Sequence, residues 1–181
     1  MSTYGLLMIV PALAMLAWAA IEDIRFRRIP NWLTFSLVLS GIAQSFTSHG
    51  ATTPGSSLLG LLTGLGLTFG MFALGALGGG DVKLLSGIGA WFGPQCALAV
   101  FIVEALVGMI LVLAQATAQG RMRVLLRNSA VVAINIAHVR ELGVEHAKAT
   151  GQSSRSVDRP LPYAVPVLIA MAIVIGRSWR P

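Results

Sequence analysis

Apolar residues in this chain come in long runs, parted by short polar stretches, with little of the apolar–polar alternation that marks a surface helix or strand. Such runs leave no polar face for water and predict helices surrounded by lipid. The first occupies residues 4–22 and closes on the polar stretch from Glu22 to Pro30. The second, about 32–48, opens at Trp32, a residue suited to a membrane interface. The third, about 56–77, carries Gly60 with Gly64 and Gly66 with Gly70, the small-residue spacing that lets helix backbones approach, and so is expected at the centre of the bundle. The run Leu84 to Phe92 is broken by Gly93 and Pro94 and is short, reading as a short or tilted span or as a re-entrant segment. A span is the better reading, because 95–118 then crosses inward and delivers Arg121, Arg123 and Arg127 to the cytosol. The last run covers about 161–176. The pattern predicts an all-α membrane protein, one domain over residues 1–181, with about six transmembrane helices.

Composition agrees with the pattern. Of the 181 residues 55% are hydrophobic and 11% charged, too little polar surface for an ordinary water-soluble domain. A span needs roughly 20 apolar residues, which leaves room for about six and for no large soluble domain. The formal charge of +6 is spread over short stretches between apolar runs, so topology explains it better than nucleic acid does. With six spans every Lys and Arg except Arg177 and Arg180 faces the cytosol, as the positive-inside rule asks, and both chain ends face outward. Ala17, Trp18 and Ala19 imitate a signal-peptidase site, but the arginines follow the apolar run instead of preceding it, so the run is expected to be kept as a span. The single Cys96 allows no intrachain disulfide and no multi-cysteine zinc cluster, and His138 and His146 are too few for a metal site. No cofactor is expected.

Residues 119–160 form the longest hydrophilic stretch. Apolar residues at 125, 132, 136 and 139 alternate at helical spacing with Arg127, His138, Arg140 and Glu145, which predicts a basic amphipathic helix on the cytosolic membrane surface. Thr150 to Asp158 reads as a polar tether. The whole stretch is either a solvated connector or a contact for substrate or lipid.

Carboxylates at membrane level are expensive and each needs a reason. Asp23 ends the first helix and Asp81 follows the third, so both lie at the cytosolic face, where a packed bundle can bring them together. Two aspartates sharing a site do not both ionise easily. One then holds a proton while the other draws a proton from water, which is the equipment for hydrolysing a peptide bond. Ordinary helix-end charges are the alternative. Gly78, Gly79 and Gly80 clear side chains where an extended substrate would approach Asp81. Lys83 either tunes the pair by charge or snorkels to the interface. Glu104 reads as lying in the outer half of the bilayer, hydrogen-bonded across helices to a group such as Gln44, or as part of a proton or substrate pathway.

The stretch Gly78-Gly79-Gly80-Asp81-Val82-Lys83-Leu84-Leu85 resembles the GxGDxKL signature of the type IV prepilin peptidases. Asp23 followed by Arg28-Ile29-Pro30-Asn31 resembles their first aspartate motif, and Pro160-Leu161-Pro162-Tyr163-Ala164 is similar to the start of their last helix. The resemblance implies an aspartic membrane endopeptidase that removes the basic leader of prepilins at the cytosolic face of the bacterial inner membrane. It places the catalytic pair on Asp23 and Asp81, with Gly78, Gly80 and Lys83 as motif support. Its partners would be the prepilin, the lipid bilayer and the pilus-assembly machinery. Larger members also methylate the new pilin N-terminus and carry paired CxxC motifs; with one cysteine and a short first loop, this chain resembles the peptidase-only form that serves tight-adherence (Flp-type) pili. Presenilins and signal peptide peptidases share GxGD but place the first aspartate in a Tyr-Asp context, whereas Glu22 precedes Asp23 here. Pro11-Ala12-Leu13 imitates their PAL motif in the wrong place and reads as core packing. A small proton-coupled transporter or assembly subunit, without protease activity, is the reading from another class.

Overall fold

A computed structural model describes residues 3–74, 76–137 and 162–178. Those residues hold seven helices and no strand. They are α1 (Thr3–Phe26), α2 (Asn31–Ser45), α3 (Pro54–Ala73), α4 (Gly79–Phe92), α5 (Pro94–Ala118), α6 (Met122–Ala137) and α7 (Ala164–Ser178). The predicted all-helical class is what the described residues adopt. Among the described residues α3 and α5 are long and apolar enough to cross a membrane, and α7 is a shorter apolar helix. The expected surface helix in the hydrophilic stretch is helical from Met122 to Ala137; its continuation, with His138, Arg140, Glu145 and His146, lies outside the described residues.

The centre of the bundle is α4, which corrects the expectation for α3. Val82 and every residue from Leu84 to Trp91 are buried, with α3, α2 and α5 packed around them. Small residues make this possible: Ser86, Gly87, Gly89 and Ala90 let neighbours come close on several sides. By contrast α3 turns Leu58, Leu59, Leu62, Phe69 and Phe72 outward. It meets α4 along one edge, where a Cβ on Gly60 would lie 2.0 Å from the Gly89 carbonyl oxygen and one on Gly64 would lie 2.6 Å from that of Leu85. Gly66 and Gly70 meet nothing within 4 Å. Gly60→Ala is therefore expected to cost about 1–3 kcal/mol by forcing the two backbones apart, whereas Gly66→Ala is harmless. Unfolding temperatures in detergent that fall equally in both, or in neither, would contradict this packing.

Polar groups fix the register of these helices. Lys83 donates to Asn31 Oδ1 at 2.9 Å at one end of the α2–α4 pair, and Gln44 donates to the Trp91 carbonyl at 3.2 Å at the other. The two helices thus run the same way along the whole of α4. Between those ends Trp91 Nε1 donates to the Leu37 carbonyl at 2.8 Å, and on the α3 side Ser57 donates to that of Ala90 at 2.7 Å. Gly93, at φ 84°, turns the chain directly into α5, where Pro94 is the first residue. On the far side Ala12, Leu16, Ala19 and Ala20 of α1 join Val167, Ala170 and Met171 of α7 in the core.

Candidate active site

Helix α1 stops three residues beyond Asp23. Arg27 adopts φ 56° and its N–H reaches the Asp23 carbonyl at 3.0 Å, a left-handed residue that ends the helix in the manner glycine usually serves. The turn throws Arg28 and Ile29 across the start of α4. There Gly80 lets Ile29 pack close, since a Cβ would lie a tight 3.2 Å from that of Ile29. This contact and the Lys83–Asn31 hydrogen bond clamp the two motif stretches together. Lys83 consequently lies on the α2 side of α4, in a separate apolar recess with Thr34, Phe35 and Leu65, and its ammonium is engaged with Asn31 rather than simply snorkelling.

Both aspartates line one open cleft of about 370 Å³, together with Arg27, Arg28, Ile29, Gly78, Gly80, Pro162 and Tyr163. Glu22 does not: it lies on the opposite side of α1, accepting from Trp18 Nε1 at 3.2 Å. The two carboxyl groups are held differently. Asp23 is buried, and its Oδ2 accepts the backbone N–H of Ala164 at 2.9 Å. That N–H is one of those left free at the start of α7, where the helix dipole presents positive partial charge. Asp81 stands in the first turn of α4 ahead of the apolar run, and its Oδ2 accepts the Gly78 N–H at 2.9 Å. Burial raises the Asp81 pKa to about 6; the Gly78 hydrogen bond opposes the shift, and the nearby Asp23 charge adds to it. A pair with unequal surroundings and one group inclined to keep its proton is suited to acid–base chemistry.

Glu104 is not where its sequence position suggested. It is buried beside this site, its Oε1 accepting the hydroxyl of Tyr163, and both residues feel the Asp81 charge. Gln44, the partner expected for it, is instead occupied by Gly41, Trp91 and the Ala51 N–H. The reason is the short hairpin. At a rise of 1.5 Å per residue Asp81 lies about 18 Å before Gly93 and Glu104 about 17 Å after it, so the two come level. Equal spacing about Gly93-Pro94 was the signal in the sequence. Tyr163 and the Ala164 N–H were also legible only as part of a motif, without a role.

The type IV leader peptidase family matches residues 10–113, a stretch that holds Asp23, Asp81 and Glu104. The chain belongs to that family. A preflagellin peptidase of Methanocaldococcus jannaschii is similar, 38% identical over 86 residues, which are 45% of this chain and 36% of the relative. The similarity thus spans little more than a third of the relative's length. No solved structure matches the chain. The family match ends before α7, so the helix that closes the cleft around Asp23 lies outside the matched residues.

Proposed function

We propose that this leader-peptidase family member is an aspartic endopeptidase that removes the basic leader of type IV or Flp-type prepilins at the cytosolic membrane face. The observation that carries the reading is the meeting of Asp23 and Asp81, from α1 and α4, in one open cleft. Asp81 supplies the proton and Asp23 the base. Asp23 takes a proton from a water whose oxygen bonds to the scissile carbonyl carbon, as Asp81 protonates the carbonyl oxygen. The tetrahedral species then collapses: Asp23 gives its proton to the amine nitrogen, the C–N bond breaks, Asp81 takes a proton back from a hydroxyl of the tetrahedral carbon, and the new carboxyl remains on the leader. In this reading the family match and the similarity to a preflagellin peptidase support a leader-bearing pilin or flagellin as substrate.

Six spans of the bacterial inner membrane are part of the proposal, with α6 and the rest of the hydrophilic stretch on the cytosolic side, near the pilus-assembly machinery. Peptidase activity without methyl transfer is a further part, supported by the single cysteine. The proton-transport alternative rests on Glu104, whose hydrogen bond to Tyr163 beside the aspartates gives it a place in the peptidase reading as well.

Co-expression with leader-bearing prepilins and preflagellins, followed by gel shift and N-terminal sequencing, tests the reading. Leader loss that needs the chain and disappears in Asp23→Asn supports it. Intact leaders at full membrane levels of the protein, or cleavage that persists in Asp23→Asn, would refute it.

A further inference from the structure

The aspartyl pair leaves one buried acid without a task. Glu104 is 4% exposed, its Oε1 accepts from Tyr163, and its Oε2 has no hydrogen-bond partner among the described residues. A buried carboxyl satisfied on one side only is a poor device for stability, because the orphaned oxygen keeps its desolvation cost. What the residue does hold is at its other oxygen. Tyr163 lines the cleft and immediately precedes Ala164, the residue whose N–H binds Asp23. The first backbone hydrogen bond of α7, from the Val167 N–H to the Tyr163 carbonyl, is long at 3.5 Å, so that turn is weakly tied by its own backbone. The phenol anchored on α5 is a second tie.

We infer that Glu104 and Tyr163 form one positioning unit: the carboxyl of Glu104 fixes the Tyr163 phenol, and the fixed phenol sets the start of α7 and the N–H that orients Asp23. Neither residue exchanges a proton with the peptide bond. The unit links α5 to α1 through α7, so it joins three helices that no loop among the described residues connects at this level. The inference rests on the aspartyl peptidase reading.

Four variants test it on a leader peptide in liposomes: Glu104→Ala, Glu104→Gln, Tyr163→Phe and the Glu104→Ala/Tyr163→Phe double. Loss of the anchor misplaces Asp23 without removing it, so kcat is expected to fall about tenfold in Glu104→Ala and in Tyr163→Phe, with KM within about twofold. The double variant should be no slower than either single one, because one unit is broken only once. Glu104→Gln keeps an acceptor oxygen at the same reach and should recover most of kcat. Tyr163→Phe removes one oxygen atom, and its unfolding temperature identifies any loss of fold. Wild-type kcat in Tyr163→Phe, multiplicative losses in the double, or a Gln variant as slow as the Ala variant would each overturn the inference; the last would show that the carboxyl acts by its charge or its proton. Asp23→Asn, assayed alongside, separates the two levels. If it cleaves normally the peptidase reading itself fails, whereas an inactive Asp23→Asn beside a fast Tyr163→Phe removes only the positioning unit.

Discussion

Asp81→Asn is expected to lower leader cleavage by on the order of a thousandfold, the middle of the range for loss of a general acid–base group, while making the protein more stable. Its pKa of about 6, against 3.8 for a free carboxyl, means that the ionised form is disfavoured in the folded state. That penalty is full above pH 6, shrinks between pH 6 and 4, and is absent below. An uncharged Asn, which still accepts the Gly78 N–H, avoids it. The variant should therefore unfold about 2 kcal/mol harder than wild type at pH 8, after allowance for solvent screening, and equally at pH 4. Thermal unfolding in detergent at the two pH values checks the stability half, and N-terminal sequencing of the substrate checks the activity half. Asp23→Asn should be equally inactive, and the double variant no worse, since the two carboxyls work as a unit. An Asp81→Asn protein that is inactive because it is unfolded gives the opposite stability result, so the two causes are told apart in one experiment.

The second large effect concerns a backbone atom. Ala164 is the first residue of α7, where proline is well tolerated because its missing N–H is not needed by the helix. Here that N–H is the donor to Asp23. Ala164→Pro should keep the helix and delete the bond; a hydrogen bond to a charged group contributes about 1.5–3 kcal/mol, so kcat/KM is expected to drop between about tenfold and a hundredfold. Ala164→Gly keeps the donor and should lose far less. Equal activity in the two variants, at equal membrane levels, would mean that Asp23 does not depend on the start of α7.

Much of the site could be read from the chain because its parts sit at helix ends. The apolar runs 4–22 and 84–92 locate α1 and α4 to within about five residues at each end, and the aspartates stand just beyond them, Asp23 in the last turn of α1 and Asp81 in the first turn of α4. Burial was harder to read. In a bundle of this composition a residue facing lipid and a residue facing the core are both apolar, so Leu58 and Leu59, exposed, and Leu84 and Leu85, buried, are indistinguishable by type. Only small residues discriminate, and they were present on both α3 and α4; which of the two helices is enclosed depends on partners that no local pattern names. Glu104 was misplaced for a different reason. Its depth was counted against a full bilayer, whereas the hairpin it belongs to turns after the 14 residues of α4. The pairing of α7 with Asp23 joins positions 141 residues apart and has no local signal at all.

That brevity of α4 bears on the lipid itself. The 14 residues of α4 and the 15 of α2 measure about 21 and 22 Å, against a hydrocarbon layer of about 30 Å. It is α2, as short as the enclosed α4 it lies along and with Trp32, Phe35 and Leu39 turned outward, that would meet lipid in the proposed six-span arrangement. Lipid beside it would have to shorten or splay at a cost of fractions of a kcal/mol per ångström. The result would be a thinner bilayer on the α2 flank, the side of α4 that carries Lys83, and not at the cleft of the aspartates. Acyl-chain length would then act on the bundle through α2: short-chain bilayers would match it, and long-chain bilayers would strain it and the Lys83–Asn31 and Gln44–Trp91 hydrogen bonds that hold it to α4.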